Sequence, residues 1–181
     1  MPIYCKNEII SISQSDFHEI DYRIMRIAFD IHNEFGRLWN ERIYTQEMVH
    51  RCQKDGFNAQ MQIPIIVEHN DFQKRCYIDL LINNNIPYEI KAVQKLDSTH
   101  KRQLIKYLML VNINHGKLIN FRSSSVEYQF VSTHLTKEKR AKFGIDDSSW
   151  FPSYHESKKF KNLYCILTLN LQIFLIRFLA S

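Results

Sequence analysis

The chain has 181 residues, 45% of them hydrophobic and 13% aromatic, with only four Gly and four Pro. That composition excludes a disordered or fibrous polymer and bounds the chain to one domain large enough to bury a core. The formal net charge is +5 and the pI about 9.0, a balance that suits an anionic partner without requiring one.

The first residues, Met1 to Glu8, lack the charged-then-apolar layout of a signal peptide. Residues 16 to 35 read as a helix, because Phe17, Ile20, Ile24, Ile27 and Ile31 recur at spacings of three and four. Ser15 is the expected cap, and Gly36 the expected stop in a left-handed turn. A second helix is expected from Glu41 to Asp55, capped by Asn40 and ended by Gly56. The pattern then turns β-like. Strands are expected over Phe57–Glu68 and Phe72–Ile82, joined by a hairpin turn at His69-Asn70-Asp71. Asn83-Asn84-Asn85 makes a further turn into a strand over Ile86–Val93. Ser98 can cap a helix over Thr99–Asn112, and two strands, Lys117–Phe121 and Glu127–Ser132, follow. This order predicts an α/β core with a mixed sheet.

Thr136 to Ser157 is charged and polar, and with Lys158, Lys159 and Lys161 it forms either a solvated face or a basic patch that meets nucleic acid. Leu163 to Ala180 is nearly all apolar. Asn170, Gln172 and Arg177 interrupt it, so it reads as a helix packed on the core or at a second-subunit interface rather than as a membrane span. The expected division is therefore a domain over 1–135 and a basic segment plus apolar helix over 136–181. Cys5, Cys52, Cys76 and Cys165 form no CxxC pair, and none of the eight His falls in a zinc spacing. Reduced thiols in a cytoplasmic protein are the expectation.

The stretch that carries chemistry is Cys76-Tyr77-Ile78-Asp79-Leu80-Leu81-Ile82, followed by Pro87-Tyr88-Glu89-Ile90-Lys91-Ala92-Val93. Charged residues sit here inside apolar strands. Glu89 and Lys91 are two apart and share a face, whereas Ile90 points the other way. Asp79 lies on the neighbouring strand of the same expected hairpin. Two carboxylates and an ammonium that converge suit phosphodiester hydrolysis. Carboxylate oxygens, with the Ile90 carbonyl, hold Mg²⁺ or Mn²⁺, and the ammonium orients water and offsets developing charge. The alternative is a structural ion pair on a half-exposed sheet.

In these segments the chain resembles the GxxExxY proteins, a branch of the PD-(D/E)XK nuclease superfamily, over Phe17 to Ser132. The matching pieces run in order: Gly36, Glu41 and Tyr44; Tyr77-Ile78-Asp79-Leu80-Leu81; Tyr88-Glu89-Ile90-Lys91-Ala92-Val93; His100 to Leu108; and Gly116 to Phe121. One position departs, since Leu38 stands where the family name implies a Gly. The resemblance implies a restriction-endonuclease-like core, a mixed β-sheet flanked by helices, to which this chain adds its C-terminal helix. It also implies a Mg²⁺-dependent nuclease acting on DNA, or on RNA. Asp79, Glu89, Lys91 and Glu41 would be catalytic, the last either joining the metal site or meeting the dipole of its helix. Gln103 and Tyr107, four apart on one helix face, resemble a QxxxY element that positions the site and the strand. Lys101 and Arg102 could meet phosphates or stay solvated. A module that keeps the fold and binds nucleic acid or a partner without turnover is the alternative function.

Overall fold

The computed structural model describes residues 3–69 and 72–134. Their elements are β1 (Ile3–Cys5), α1 (Gln14–Phe35), α2 (Glu41–Lys54), β2 (Ala59–His69), β3 (Phe72–Ile82), β4 (Ile86–Lys91), α3 (Ser98–Leu110), β5 (His115–Asn120) and β6 (Glu127–Ser132). The strands form one sheet in chain order. Neighbours are antiparallel except β4 and β5, which are parallel. A parallel pair cannot be closed by a hairpin, and α3 supplies the crossover. The mixed α/β sheet is thus the one expected. β1 was not foreseen, because three residues carry no readable alternation; pairing with Ile65–Val67 makes them a strand.

The helix starts differ from the expectation by their caps. Ser13, not Ser15, caps α1: it is extended, and its hydroxyl accepts the Asp16 N–H. Asp97, not Ser98, caps α3, accepting from Thr99 and His100 N–H at 2.8 and 3.2 Å while its own N–H donates to His100 Nδ1. A carboxylate is the stronger acceptor there, and those bonds hold the Asp97 carboxyl below its ordinary range. Asn40 caps α2 as expected. Gly36 has φ of +70°, and its N–H donates to His32 O, a conformation that a side chain would strain.

α1 and α2 cover one face of the sheet. Phe17, Ile24, Ile31, Tyr44 and Met48 pack there with Leu80, Ile82, Tyr88, Ile90, Ile119 and Phe121, each buried side chain contributing about 1.5–3 kcal/mol. This core is not wholly apolar. Asp21 of α1 pairs with Lys117 of β5, and the Tyr88 hydroxyl donates to Asp21 at 3.1 Å, all three buried. α3 covers the other face, with Leu104 and Leu108 on Leu118, and Tyr107 and Leu110 on Ile63, Ile78 and Leu81. Gly116 sets how closely α3 lies, because a Cβ there would meet Leu108 at 3.1 Å and the Pro87 carbonyl oxygen at 3.2 Å.

The alternation of β3 breaks once. Ile78 packs with the cluster under α3, yet Leu80 and Ile82 pack with the cluster under α1 and α2. Residues of one parity normally keep one face, so β3 turns over at Asp79. The basic segment, the apolar stretch 163–180 and the 136–181 unit expected from sequence lie outside the described residues. Among the described residues no helix is long and apolar enough to cross a membrane.

Candidate active site

The β3–β4 ladder pairs Ile82 with Ile86, Leu81 with Pro87 and Leu80 with Tyr88. At the next position Asp79 replaces the ladder with its side chain: Oδ2 accepts the Ile90 N–H at 3.0 Å. Opposite, on β2, Gln62 lies between the Met61–Leu80 and Ile63–Ile78 pairs with φ of +54°. A non-glycine residue in that region costs on the order of 1–3 kcal/mol. Its side chain turns to the site, where Nε2 donates to Asp79 Oδ1 at 3.3 Å.

Glu89 and Lys91 point to the α3 side, and Ile90 packs on the α1–α2 side. Lys91 Nζ lies 2.5 Å from Glu89 Oε1 and 3.9 Å from Asp79 Oδ2. Gln103 of α3 donates from Nε2 to the same Glu89 Oε1, and also to the Tyr107 hydroxyl at 3.1 Å. The i, i+4 pair on α3 therefore reaches the carboxylate on β4. Glu89 is 0% exposed and Lys91 8%.

Two carboxylates share one ammonium, and the surplus negative charge shows in their titration. Burial first, and the Asp79 charge second, push Glu89 up to about 8, against the pull of Lys91. Burial likewise raises Asp79, opposed by Lys91 and the Ile90 N–H. Burial works against the Lys91 ammonium, but Glu89, Asp79 and Glu41 outweigh it and hold its pKa above the ordinary value. The close Lys91–Glu89 contact favours a charged Glu89, whereas the raised pKa favours a proton on it. Both follow from one cation facing two anions, a deficit that a second cation would remove.

Glu41, at the first turn of α2, accepts the Ala92 N–H on Oε1 at 3.3 Å, just past β4. A cleft of about 700 Å³ opens over Asp79, walled by Trp39, Glu41, Gln62, Ala92 and Arg122 among others. Lys101 and Arg102 are exposed on α3; Arg102 donates to Thr99 Oγ1 at 3.3 Å. Neither lines that cleft.

Three residues here were not singled out from sequence. Gln62 is a polar residue opposite Asp79 in a β-rich run, but its backbone strain has no sequence mark. Asn120 is buried in the apolar run Lys117 to Phe121. Its Nδ2 donates to Val93 O and Glu127, and its Oδ1 accepts from Val93 and Arg122 N–H, which clamps the chain where it leaves β4. Arg122 follows, donating from Nε to Ala92 O at 3.3 Å. A buried amide inside an apolar strand was the available signal.

Glu89 Oε2 is buried and no N–H or O–H group of another residue type donates to it; the Glu89 and Asp79 carboxyls lie close enough to share a proton. A carboxylate oxygen beside a second carboxylate fits a hard divalent cation, which takes oxygen ligands and keeps several waters. Among the described residues no group of three or more His, Cys, Asp and Glu gathers to hold a metal ion. The fit therefore rests on the carboxylates of Asp79 and Glu89.

The model of the PD-(D/E)XK nuclease superfamily matches residues 18–131, well over half of the chain. No curated protein and no solved structure matches it. The matched span runs from α1 into β6 and contains every residue of the cluster around Asp79 and Glu89, and the sheet order and flanking helices agree with a restriction-endonuclease-like fold. The chain belongs to the PD-(D/E)XK nuclease superfamily.

Proposed function

We propose that this chain is a divalent-metal-dependent nuclease that hydrolyses phosphodiester bonds of DNA, with RNA as the second candidate substrate, and that it falls in the GxxExxY branch. Members of the superfamily generally use divalent metal ions, and a nuclease implies a nucleic-acid substrate. Here Asp79, Glu89 and the Ile90 carbonyl would hold Mg²⁺, with Mn²⁺ as a substitute. Such an ion, when bound, lowers the pKa of its water and offsets charge on the phosphoryl oxygens.

The chain's own groups supply the rest. Lys91 Nζ, held by Glu89 at 2.5 Å, would hydrogen-bond the attacking water and face the charge that develops on phosphate. Gln103 donates to Glu89 Oε1, so Oε2 is the oxygen that would meet the metal. Tyr107 steadies Gln103. Glu41 fixes the main chain after Lys91, or orients water from the cleft. Lys101 and Arg102, exposed on α3, would meet phosphates away from the scissile one. The nuclease unit would be 1–135, in a cytoplasmic protein.

The observation that carries this reading is the buried cluster of two carboxylates and one ammonium, in which Glu89 Oε2 faces a second carboxylate and receives no N–H. A cleavage assay on single- and double-stranded DNA and RNA, with and without Mg²⁺ or Mn²⁺, tests it beside Lys91→Ala. Cleavage that needs metal and disappears in Lys91→Ala is expected. A wild type that takes up no metal, with nucleic-acid affinity equal in all variants, would replace the nuclease by a silent binding module.

A further inference from the structure

The loop between α1 and α2 presents two large apolar side chains to solvent. Leu38 is 78% exposed and Trp39 50% exposed. Burying side chains of this size contributes about 1.5–3 kcal/mol each, so leaving both out forgoes stability. The loop is nevertheless well held. Trp39 Nε1 donates to Phe35 O at 3.1 Å, Trp39 N–H to the Tyr44 hydroxyl at 3.3 Å, and that hydroxyl donates to Gly36 O at 2.8 Å. The buried Tyr44 ring, stacked on Phe121 at 4.4 Å, anchors the whole arrangement. The indole is thus a fixed plate with an exposed surface.

Its position gives that plate a use. Leu38 and Trp39 wall the same cleft as Asp79, and Arg42 and Arg122 wall it with them. Apolar area, two guanidinium groups and the carboxylate of the candidate site therefore border one space of about 700 Å³. Cavities of about 300–1,000 Å³ hold a single small ligand, and a nucleotide is of that scale. Guanidinium groups suit its phosphate, and an aromatic face suits a base that has left its stack, whatever its identity.

We propose that the Leu38–Trp39 lip receives an unpaired base next to the scissile phosphate, so that the substrate is single-stranded or locally opened nucleic acid rather than intact duplex. The proposal rests on the nuclease reading above and specifies its substrate. Arg122 and Arg42 hold the phosphates of the same strand. Energetically, stacking one base on an aromatic side chain contributes about 1–3 kcal/mol, and an intact duplex would have to give up its own stacking to use the lip.

The test uses the full chain carrying Lys91→Ala to stop cleavage and Trp150→Phe to leave Trp39 as the one tryptophan. A short single-stranded DNA and the blunt duplex of the same sequence are titrated against Trp39 fluorescence, and wild-type cleavage of both with Mg²⁺ runs in parallel. Expected are strong quenching by the single strand, weak quenching by the duplex, and single-strand affinity, read for the Trp39 variants by anisotropy of an end-labelled strand, lowered roughly tenfold or more in Trp39→Ala. Trp39→Phe keeps a ring but not the bond to Phe35 O, and should retain most of the affinity. Equal losses in Trp39→Phe and Trp39→Ala would assign the ring a structural role and overturn the proposal. So would equal quenching by both DNAs, or single-strand binding with no quenching. In those cases metal-dependent cleavage by the wild type leaves the nuclease reading standing. Absence of both binding and cleavage in the wild type overturns the two together.

Discussion

The Asp79 carboxylate accepts the Ile90 N–H at 3.0 Å, so the side chain proposed as a metal ligand also closes the gap where the β3–β4 ladder ends. The two roles separate by substitution. Asp79→Ala leaves a part-buried N–H unpaired and should cost about 1–3 kcal/mol of stability together with metal binding. Asp79→Asn keeps an amide oxygen that can accept the N–H, and should recover most of the stability without the metal affinity. Thermal melts and Mn²⁺ calorimetry on both variants check this.

Lys91→Ala should lower cleavage by ~10²-fold or more and leave metal binding largely intact, because an ammonium has no lone pair to give a metal. Glu89→Ala should lose both. Metal titration beside a cleavage time course resolves the split; loss of metal binding in Lys91→Ala would show that the ammonium organises the carboxylates rather than acting on water.

Glu89 gives the pH dependence. Its ordinary value of 4.5 rises to about 8 in the folded protein, burial being the first cause. A raised carboxyl favours folding while it holds its proton, so its contribution is full below about 4.5 and is lost as pH rises through about 8. Metal needs the ionised form. Apparent Mn²⁺ affinity should therefore climb by about tenfold per pH unit at neutral pH and level off above about 8, with one proton released per metal below that point. Calorimetry in buffers of different ionisation enthalpy measures that proton. In metal-free protein, Glu89→Gln should be the more stable of the two above pH 8, by thermal melting.

Asp21 and Lys117 form a buried pair, joined by Tyr88, that does not line the cleft. Removing one partner of such a pair costs about 3–5 kcal/mol, because the other charge is left uncompensated. Asp21→Ala should lower the melting temperature strongly, whereas Asp21→Leu with Lys117→Leu should cost much less than the two single changes together. Mn²⁺ affinity of the double variant should match wild type. Chemical denaturation and calorimetry check both halves.

The elements that sequence revealed were those whose pattern is local. Phe17, Ile24 and Ile31 mark the buried stripe of α1 at helical spacing, and Glu89 and Lys91 share a face because a strand alternates. What stayed hidden depends on partners distant in the chain. β1 exists through its pairing with Ile65–Val67. Gln62 is held at positive φ opposite Asp79, and nothing in a glutamine announces it. Asn120 and Arg122 become part of the site because the parallel β4–β5 pairing lays Asn120 beside Lys91. The caps of α1 and α3 were misplaced by two residues and one, since Ser13 and Ser15 are equally good caps until the backbone chooses.

The parallel pairing also orders events during synthesis. Asp79, Glu89 and Lys91 all precede α3 and β5 in the chain, so they leave the ribosome first. At about 5–20 residues per second, the roughly 30 residues from Lys91 to Asn120 take about 1.5–6 s. For that interval β4 has a bare edge, and Glu89 has no Gln103 to hold its Oε1. A half-made chain carries Asp79, Glu89 and Lys91 without their alignment, so the candidate site is completed as a late event, after translation has passed β5.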